Sequence, residues 1–217
     1  METFKKRLLA IAGGLAGFAI AFMLFGKVAK MEFFGFKALS MNGMEAIFGA
    51  DLNGGQIFGF SFMNLLTYIV GVVGVVFLAL SEKKKVFWMK AAAAGCLFLT
   101  AIFAFNVGEF LTMGKDFAEV FDLDGYSNAE IEATFDATKD MLVELDFAGV
   151  LGGIALLLAT AAVVADIIFA YLAKKAEANA DRLAEVAAPA QENAVAAEEV
   201  AVTEEAPVEE ETEEKAE

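Results

Sequence analysis

The sequence predicts an all-α membrane protein: a four-helix transmembrane bundle with structured outer loops and a disordered C-terminal tail. Three observations lead there. Of 217 residues, 59% are hydrophobic, with a mean hydropathy of +0.60, more than a soluble surface tolerates. Four apolar runs are each long enough to cross a hydrocarbon core of roughly 30 Å. The net charge of −15 is concentrated outside those runs. Residues 106–146 hold eleven acids against two lysines, and residues 176–217 hold fourteen against two basic residues.

Composition also removes function classes. The chain has no histidine, which excludes His-dependent triads, His-ligated zinc and His-ligated haem. Cys96 stands alone, so no intramolecular disulfide forms. The acidic balance argues against nucleic acid as a partner, because phosphate backbones are bound by clustered Lys and Arg. No catalytic constellation, cofactor motif or metal-ligand spacing is present, and the expectation is a protein that is not an enzyme.

The first span is read at 8–25, behind Lys5, Lys6 and Arg7, as an uncleaved anchor; its apolar run exceeds the roughly 7 to 15 residues of a signal peptide core. Gly13, Gly17 and Ala21 fall on one helix face and predict close helix packing, within the monomer or between two copies. Residues 26–57 form the first outer loop, with turn signals at Asn42-Gly43 and Asn53-Gly54-Gly55. Phe33, Phe34, Phe36, Met41, Met44, Ile47 and Phe48 make it apolar enough to pack on the bundle's outer end or lie among headgroups. A strand pair and an interfacial helix both suit it.

The second span is read at 58–80. Ser61, Asn64, Thr67, Gly71 and Gly74 share one side of the helix and should face the bundle interior. A turn from Ser81 to Lys85, with three lysines, precedes the third span at 86–105, in which Lys90 lies about one turn inside. The second outer loop, 106–146, contains a capping box, Ser127 with Glu130, that opens a helix at about Asn128 and leads toward the fourth span. A shorter amphipathic piece is expected over Lys115 to Phe121. Asp122-Leu123-Asp124-Gly125 superficially resembles a calcium loop, but aligning Gly125 with the invariant glycine puts Ile131 where the last acidic ligand belongs. Diffuse, weak cation binding by residues 106–146 stays open beside a plain solvated face.

The fourth span, 147–172, carries Gly149-x-x-x-Gly153 and the only acid within any span, Asp166. At 1.5 Å per residue Asp166 lies roughly 9 Å deep from one end, and Lys90, on an antiparallel helix, roughly 8 Å. Matched depth predicts a Lys90/Asp166 ion pair, because an unpaired acid at a span's centre costs about 2.5 to 3.5 kcal/mol. Lys174 and Lys175 close the span, a helix is expected to end near Ala188 before Pro189, and the Ala, Val and Glu of 176–217 predict disorder. Lys and Arg near the spans number ten on the side of the termini and five in the outer loops, which places both termini in the cytoplasm and the protein in the cell membrane.

This outline resembles claudin-like and tetraspanin-like four-span proteins, without the Trp and Cys motifs of the one or the Cys-Cys-Gly of the other. Glu45-Ala46-Ile47-Phe48-Gly49 and Phe60-Ser61-Phe62-Met63-Asn64-Leu65-Leu66-Thr67-Tyr68 resemble segments of small uncharacterised four-span membrane proteins of bacteria; the resemblance implies topology and no activity. Two functional expectations follow. One is a non-catalytic membrane protein that scaffolds, self-assembles or supports another envelope component, its partners being the lipid bilayer and a second copy or another membrane protein. The other is a small oligomeric transporter or channel subunit using Asp166 and Lys90 with Asn64 and Thr67.

Overall fold

The computed structural model describes residues 2–33, 36–84, 86–123 and 125–203, and side chains over 7–32, 37–83, 86–123 and 125–183. Its elements in chain order are α1 (Glu2–Phe25), β1 (Lys27–Phe33), β2 (Phe36–Asn42), α2 (Gly43–Phe48), β3 (Ala50–Leu52), β4 (Gly55–Phe58), α3 (Phe62–Lys84), α4 (Phe87–Phe105), α5 (Phe117–Val120), α6 (Asn128–Leu142), β5 (Val143–Leu145) and α7 (Phe147–Thr203). Four of these helices, α1, α3, α4 and α7, are long and apolar enough to cross a membrane. Two compact units divide the chain after Ile168.

In the first unit, α1, α3, α4 and the start of α7 run antiparallel in sequence. One end of the bundle, here the loop end, carries every strand and short helix; the other carries the α3–α4 connection. The core along the bundle is made of small and aliphatic side chains, among them Ala16, Ala19, Ile20, Met23, Leu97, Ala101, Leu156 and Ala159. A separate cluster of Leu9, Ala12, Leu78, Ala93, Ala94 and Val163 fills the opposite end. Small side chains let α3 and α4 approach closely: a Cβ on Gly71 would stand 3.0 Å from Thr100 Cγ2, and one on Gly74 would stand 3.0 Å from Cys96 Cβ.

The loop end corrects the all-α expectation. β1 is the centre of a three-stranded antiparallel sheet ordered β2-β1-β5, and β3 and β4 form a second hairpin. Backbone groups in this region have no long helix to pair in, and burial of Val28, Ala29, Met31 and Met41 requires that they be paired. The sheet supplies the partners. The β3–β4 turn places Asn53 at φ 54° and Gly54 at φ 89°, the doubly left-handed turn that matches strand twist. Both proposals for the first loop coexist, since Asn42 caps α2 with a full capping box to Glu45 directly after β2.

The two inter-span segments are woven together. Ala29, Lys30 and Met31 on β1 pair with Leu145, Glu144 and Val143 on β5. Gly114 N–H donates to Ile57 O at 2.9 Å, Asp116 N–H to Gln56 O at 3.1 Å and Gly59 N–H to Thr112 O at 2.8 Å, so residues 112–116 follow β4. Phe58, Phe117 and Phe135 meet edge to face, with centroids 5.2 to 6.0 Å apart, as the core of this end.

Several boundaries move. The second span begins at Phe62, not Phe58, because Phe58 belongs to β4 and is buried in the loop-end core. Ser81 and Glu82, expected in a turn, are helical, and the buried Ser81 hydroxyl donates to Leu78 O at 2.7 Å. Lys85 and Asp124 lie outside the described residues, as do the side chains of Phe33, Phe34 and Phe36. α6 opens at Asn128 behind the Ser127–Glu130 capping box and does not run into the fourth span, because β5 intervenes.

The second unit begins at Phe169 and holds the remaining residues of α7. Helix continues to Thr203 and includes Pro189, where a stop near Ala188 was expected. Proline deletes one backbone donor, and the surrounding Ala and Glu are strong helix formers. Residues 204–217 lie outside the described residues, and the expectation of disorder there with them.

Candidate functional site

The structure divides the polar candidates between the two ends of the bundle. Near the α3–α4 connection, Lys90 Nζ lies 2.5 Å from Asp166 Oδ2, with side-chain exposures of 18% and 2%. Asp166 shares its face of α7 with Ala159 and Val163, both fully buried, so the carboxylate is held in apolar surroundings with the ammonium as its partner. Lys90 lies in the first turn of α4, next to the α3–α4 connection, and a lysine's long aliphatic stem suits it to cover apolar surface while its charge finds a partner. Such a pair is costly to break and cheap to replace as a unit.

Asn64 stands at the loop end, more than about 20 Å away along the bundle at 1.5 Å per residue. It is fully buried, and its Nδ2 donates to Ala46 O at 3.0 Å and Val107 O at 3.3 Å. The Ser61 hydroxyl donates to Phe110 O, while Ser61 N–H donates to Ile47 O at 2.7 Å. Ser61, just before α3, and Asn64 in its first turn therefore tie α2 to the segment following α4. Asn64 Oδ1 is the buried side-chain polar atom left without a partner among the described residues. Thr67 does not join this network: its hydroxyl donates back to Met63 O at 3.0 Å, as Thr100 does to Cys96 O and Thr160 to Leu156 O, both at 2.8 Å.

The glycines behave unequally. At Gly149 a Cβ would meet Val28 O at 2.6 Å, and at Gly153 the Phe105 ring at 2.6 Å, so both sit at contacts that exclude a side chain. Gly71 and Gly74 line the α3–α4 contact. The face predicted from Gly13, Gly17 and Ala21 is different: a Cβ on Gly13 would stand 3.5 Å from Leu78 Cδ2, an ordinary contact, one on Gly17 would have nothing within 4 Å, and Ala21 is exposed. α1 buries Leu9, Ala12, Ala16, Ala19 and Met23 instead, because the larger apolar side chains and the alanines between them define its inward stripe. Of the three, Gly13 alone borders a neighbouring helix, and close packing through Gly17 and Ala21 within the monomer is not observed.

One constellation was not anticipated. Asp146, just before α7, accepts from Lys37 Nζ at 2.9 Å, Ser40 Oγ at 3.0 Å and Phe147 N–H at 2.8 Å, while its own N–H donates to Val28 O at 2.9 Å. Partial burial pushes its carboxyl up, but Lys37, the Phe147 N–H and Ser40 outweigh that and hold it below the usual carboxylate range. Lys30 on β1 is pushed above the ordinary lysine value by Glu32 first, at 2.6 Å, and Glu144 second, at 3.1 Å. Glu130 is lowered by the backbone and hydroxyl of Ser127 in the capping box. An acid immediately ahead of an apolar helix was the signal available for Asp146, as a helix N-terminus favours negative charge.

No three His, Cys, Asp or Glu side chains gather around a point fit for a metal ion among the described residues. Compared with protein-family models, with curated proteins and with solved structures, the chain matches none.

Proposed function

We propose that this protein is a non-catalytic, multi-pass scaffold of the cell membrane, with both termini in the cytoplasm and the woven loop end displayed on the other side. The observation that carries the reading is the closure of Lys90 on Asp166. Lys90 and Asp166, charged residues within the apolar stretches of α4 and α7, are spent on each other, and Thr67, Thr100, Thr160 and Ser81 bond carbonyls of their own helices. A group that moves an ion needs to be reachable by it, whereas Asp166, 2% exposed and closed on Lys90, is placed to brace α4 against α7. The loop end supports the same reading, since two segments far apart in sequence are stitched into one rigid surface suited to presenting contacts.

Orientation follows from the excess of Lys and Arg at the termini and the α3–α4 connection. Mild-detergent purification from the native membrane, with identification of co-purifying proteins and of the oligomeric state, tests the role. A stoichiometric partner or a defined homo-oligomer supports it; a lone monomer at all concentrations contradicts it. The second reading, a subunit of an oligomeric channel or transporter, draws on the unpartnered Asn64 Oδ1, which has the capacity to accept from a passing donor. Separation of Asn64 and Thr67 from Lys90 and Asp166 disfavours it, because one path would have to run the whole bundle to use all four.

A further inference from the structure

α1 and α7 leave a groove of about 370 Å³ between them, a volume within the roughly 300 to 1,000 Å³ of small-molecule sites. Ala19, Gly152 and Ala155 form a floor of small residues, and Phe18, Phe22 and Leu158 stand along it. At the loop end the helices are drawn together, a Cβ on Gly26 falling 2.7 Å from that of Ala148. Phe18 stacks on Phe22 at 5.7 Å and Phe22 meets Phe147 edge-on at 6.2 Å, so an aromatic wall runs from the groove to the start of α7. From Phe22 to Leu15 the groove is about 10 Å long at 1.5 Å per residue, all within the loop-end half of the spans.

Above this wall the surface turns charged. Lys37 pairs with Asp146, the residue preceding Phe147, at 2.9 Å; Ser40 Oγ touches the same carboxylate at 3.0 Å, and Lys27 Nζ donates to Ser40 O at 3.0 Å. Glu45 lies 3.8 Å from Lys27. The two lysine side chains are 51% and 48% exposed, so this charged rim borders solvent.

We propose that the α1–α7 groove is a binding site for one phospholipid with a zwitterionic, amine-bearing headgroup. An acyl chain occupies the apolar groove, the phosphate meets Lys27 and Lys37, and the headgroup amine meets Glu45, the more exposed of the two carboxylates. A purely anionic headgroup would leave both carboxylates opposed to it, and a hydrocarbon alone would leave the charged rim unused. The inference rests on the spanning of a membrane by these helices and is independent of the scaffold role.

The test uses the full chain reconstituted in bilayers of mixed phosphatidylethanolamine and phosphatidylglycerol, released into mild detergent and examined by native mass spectrometry with headgroup identification. One retained phospholipid per chain is expected, enriched in phosphatidylethanolamine over the bulk mixture. Ala155→Phe, which fills the groove, should lower retention at least about tenfold, equivalent to about 1.4 kcal/mol. Val72→Phe, on an exposed face of α3, should leave it unchanged. Lys27→Ala with Lys37→Ala should abolish the headgroup preference. Ala155→Leu serves if the phenylalanine variant misfolds. Equal retention by the wild type and a folded groove-filling variant overturns the proposal, as does a retained lipid matching the bulk composition or a disulfide between two Phe18→Cys chains that shows a second copy in the groove. Failure of the chain to enter bilayers at all would sink the spanning reading instead.

Discussion

Lys90 and Asp166 are 76 positions apart in the chain and 2.5 Å apart in space, joining α4 to α7 where both helices are otherwise apolar. Replacing one partner strands the other. Asp166→Ala or Lys90→Met should destabilise the bundle by about 3 to 5 kcal/mol, and Lys90→Met with Asp166→Leu should recover most of that loss. Unfolding midpoints of the two single variants and the double variant check this. Additive losses would mean that the pair does not hold the helices together.

Glycine substitutions should separate packed from open positions. A Cβ on Gly43 would stand 2.6 Å from Met23 O and 2.8 Å from Leu24 Cα, backbone atoms that do not rotate away. Gly43→Ala should therefore cost about 1 to 3 kcal/mol, in the range of overpacked cores. Gly17→Leu should leave monomer stability within about 0.5 kcal/mol, as an open surface position does. A reversal of that order in thermal unfolding would contradict the described packing of α1.

Asn64 closes the junction of α2, α3 and the segment after α4. Asn64→Leu would leave Ala46 O and Val107 O without their donor, at about 1 to 3 kcal/mol for each carbonyl that stays buried. Proteolysis of the loop end should accelerate in this variant while the helices stay intact. Unchanged cleavage rates would place the junction's rigidity elsewhere.

Acid should loosen the loop end through Asp146. Its pKa is lowered in the folded protein, so the Lys37, Ser40 and Phe147 contacts contribute fully above the unfolded carboxylate value and are lost as pH falls through the folded one. The thermal midpoint of the wild type should hold steady from neutral pH to about 5 and drop below about 4, near the ordinary aspartate value. Asp146→Asn should lower the neutral-pH midpoint and flatten the acid limb. Lys30 has the opposite sign: its raised pKa makes the Glu32 and Glu144 contacts complete below the ordinary lysine value and lost as pH climbs past the folded one.

Much of this was legible in residue order. Matched depth from helix ends was enough to pair Lys90 with Asp166, because the rise per residue is constant and antiparallel helices share a scale. Ser127 and Glu130 announced the start of α6 by local chemistry alone. β5 was hidden for the converse reason: Val143, Glu144 and Leu145 are three residues, too few for a periodicity, and their partners on β1 lie more than a hundred positions earlier. Asp146 carried a local signal in its place ahead of an apolar helix, but its partner did not, since Lys37 is 109 positions away. On α1, small residues named a plausible contact face, but which face turns inward is decided by the shape of the neighbouring helices, as the open Gly17 demonstrates.

The proposed role turns on whether the Lys90–Asp166 pair is a brace or part of a path. Ion and proton flux across proteoliposomes containing the purified chain measures that directly. Scaffold function predicts flux no greater than in empty vesicles for both the wild type and Asp166→Asn. Wild-type flux above that level, lost in a folded Asp166→Asn variant, would contradict it.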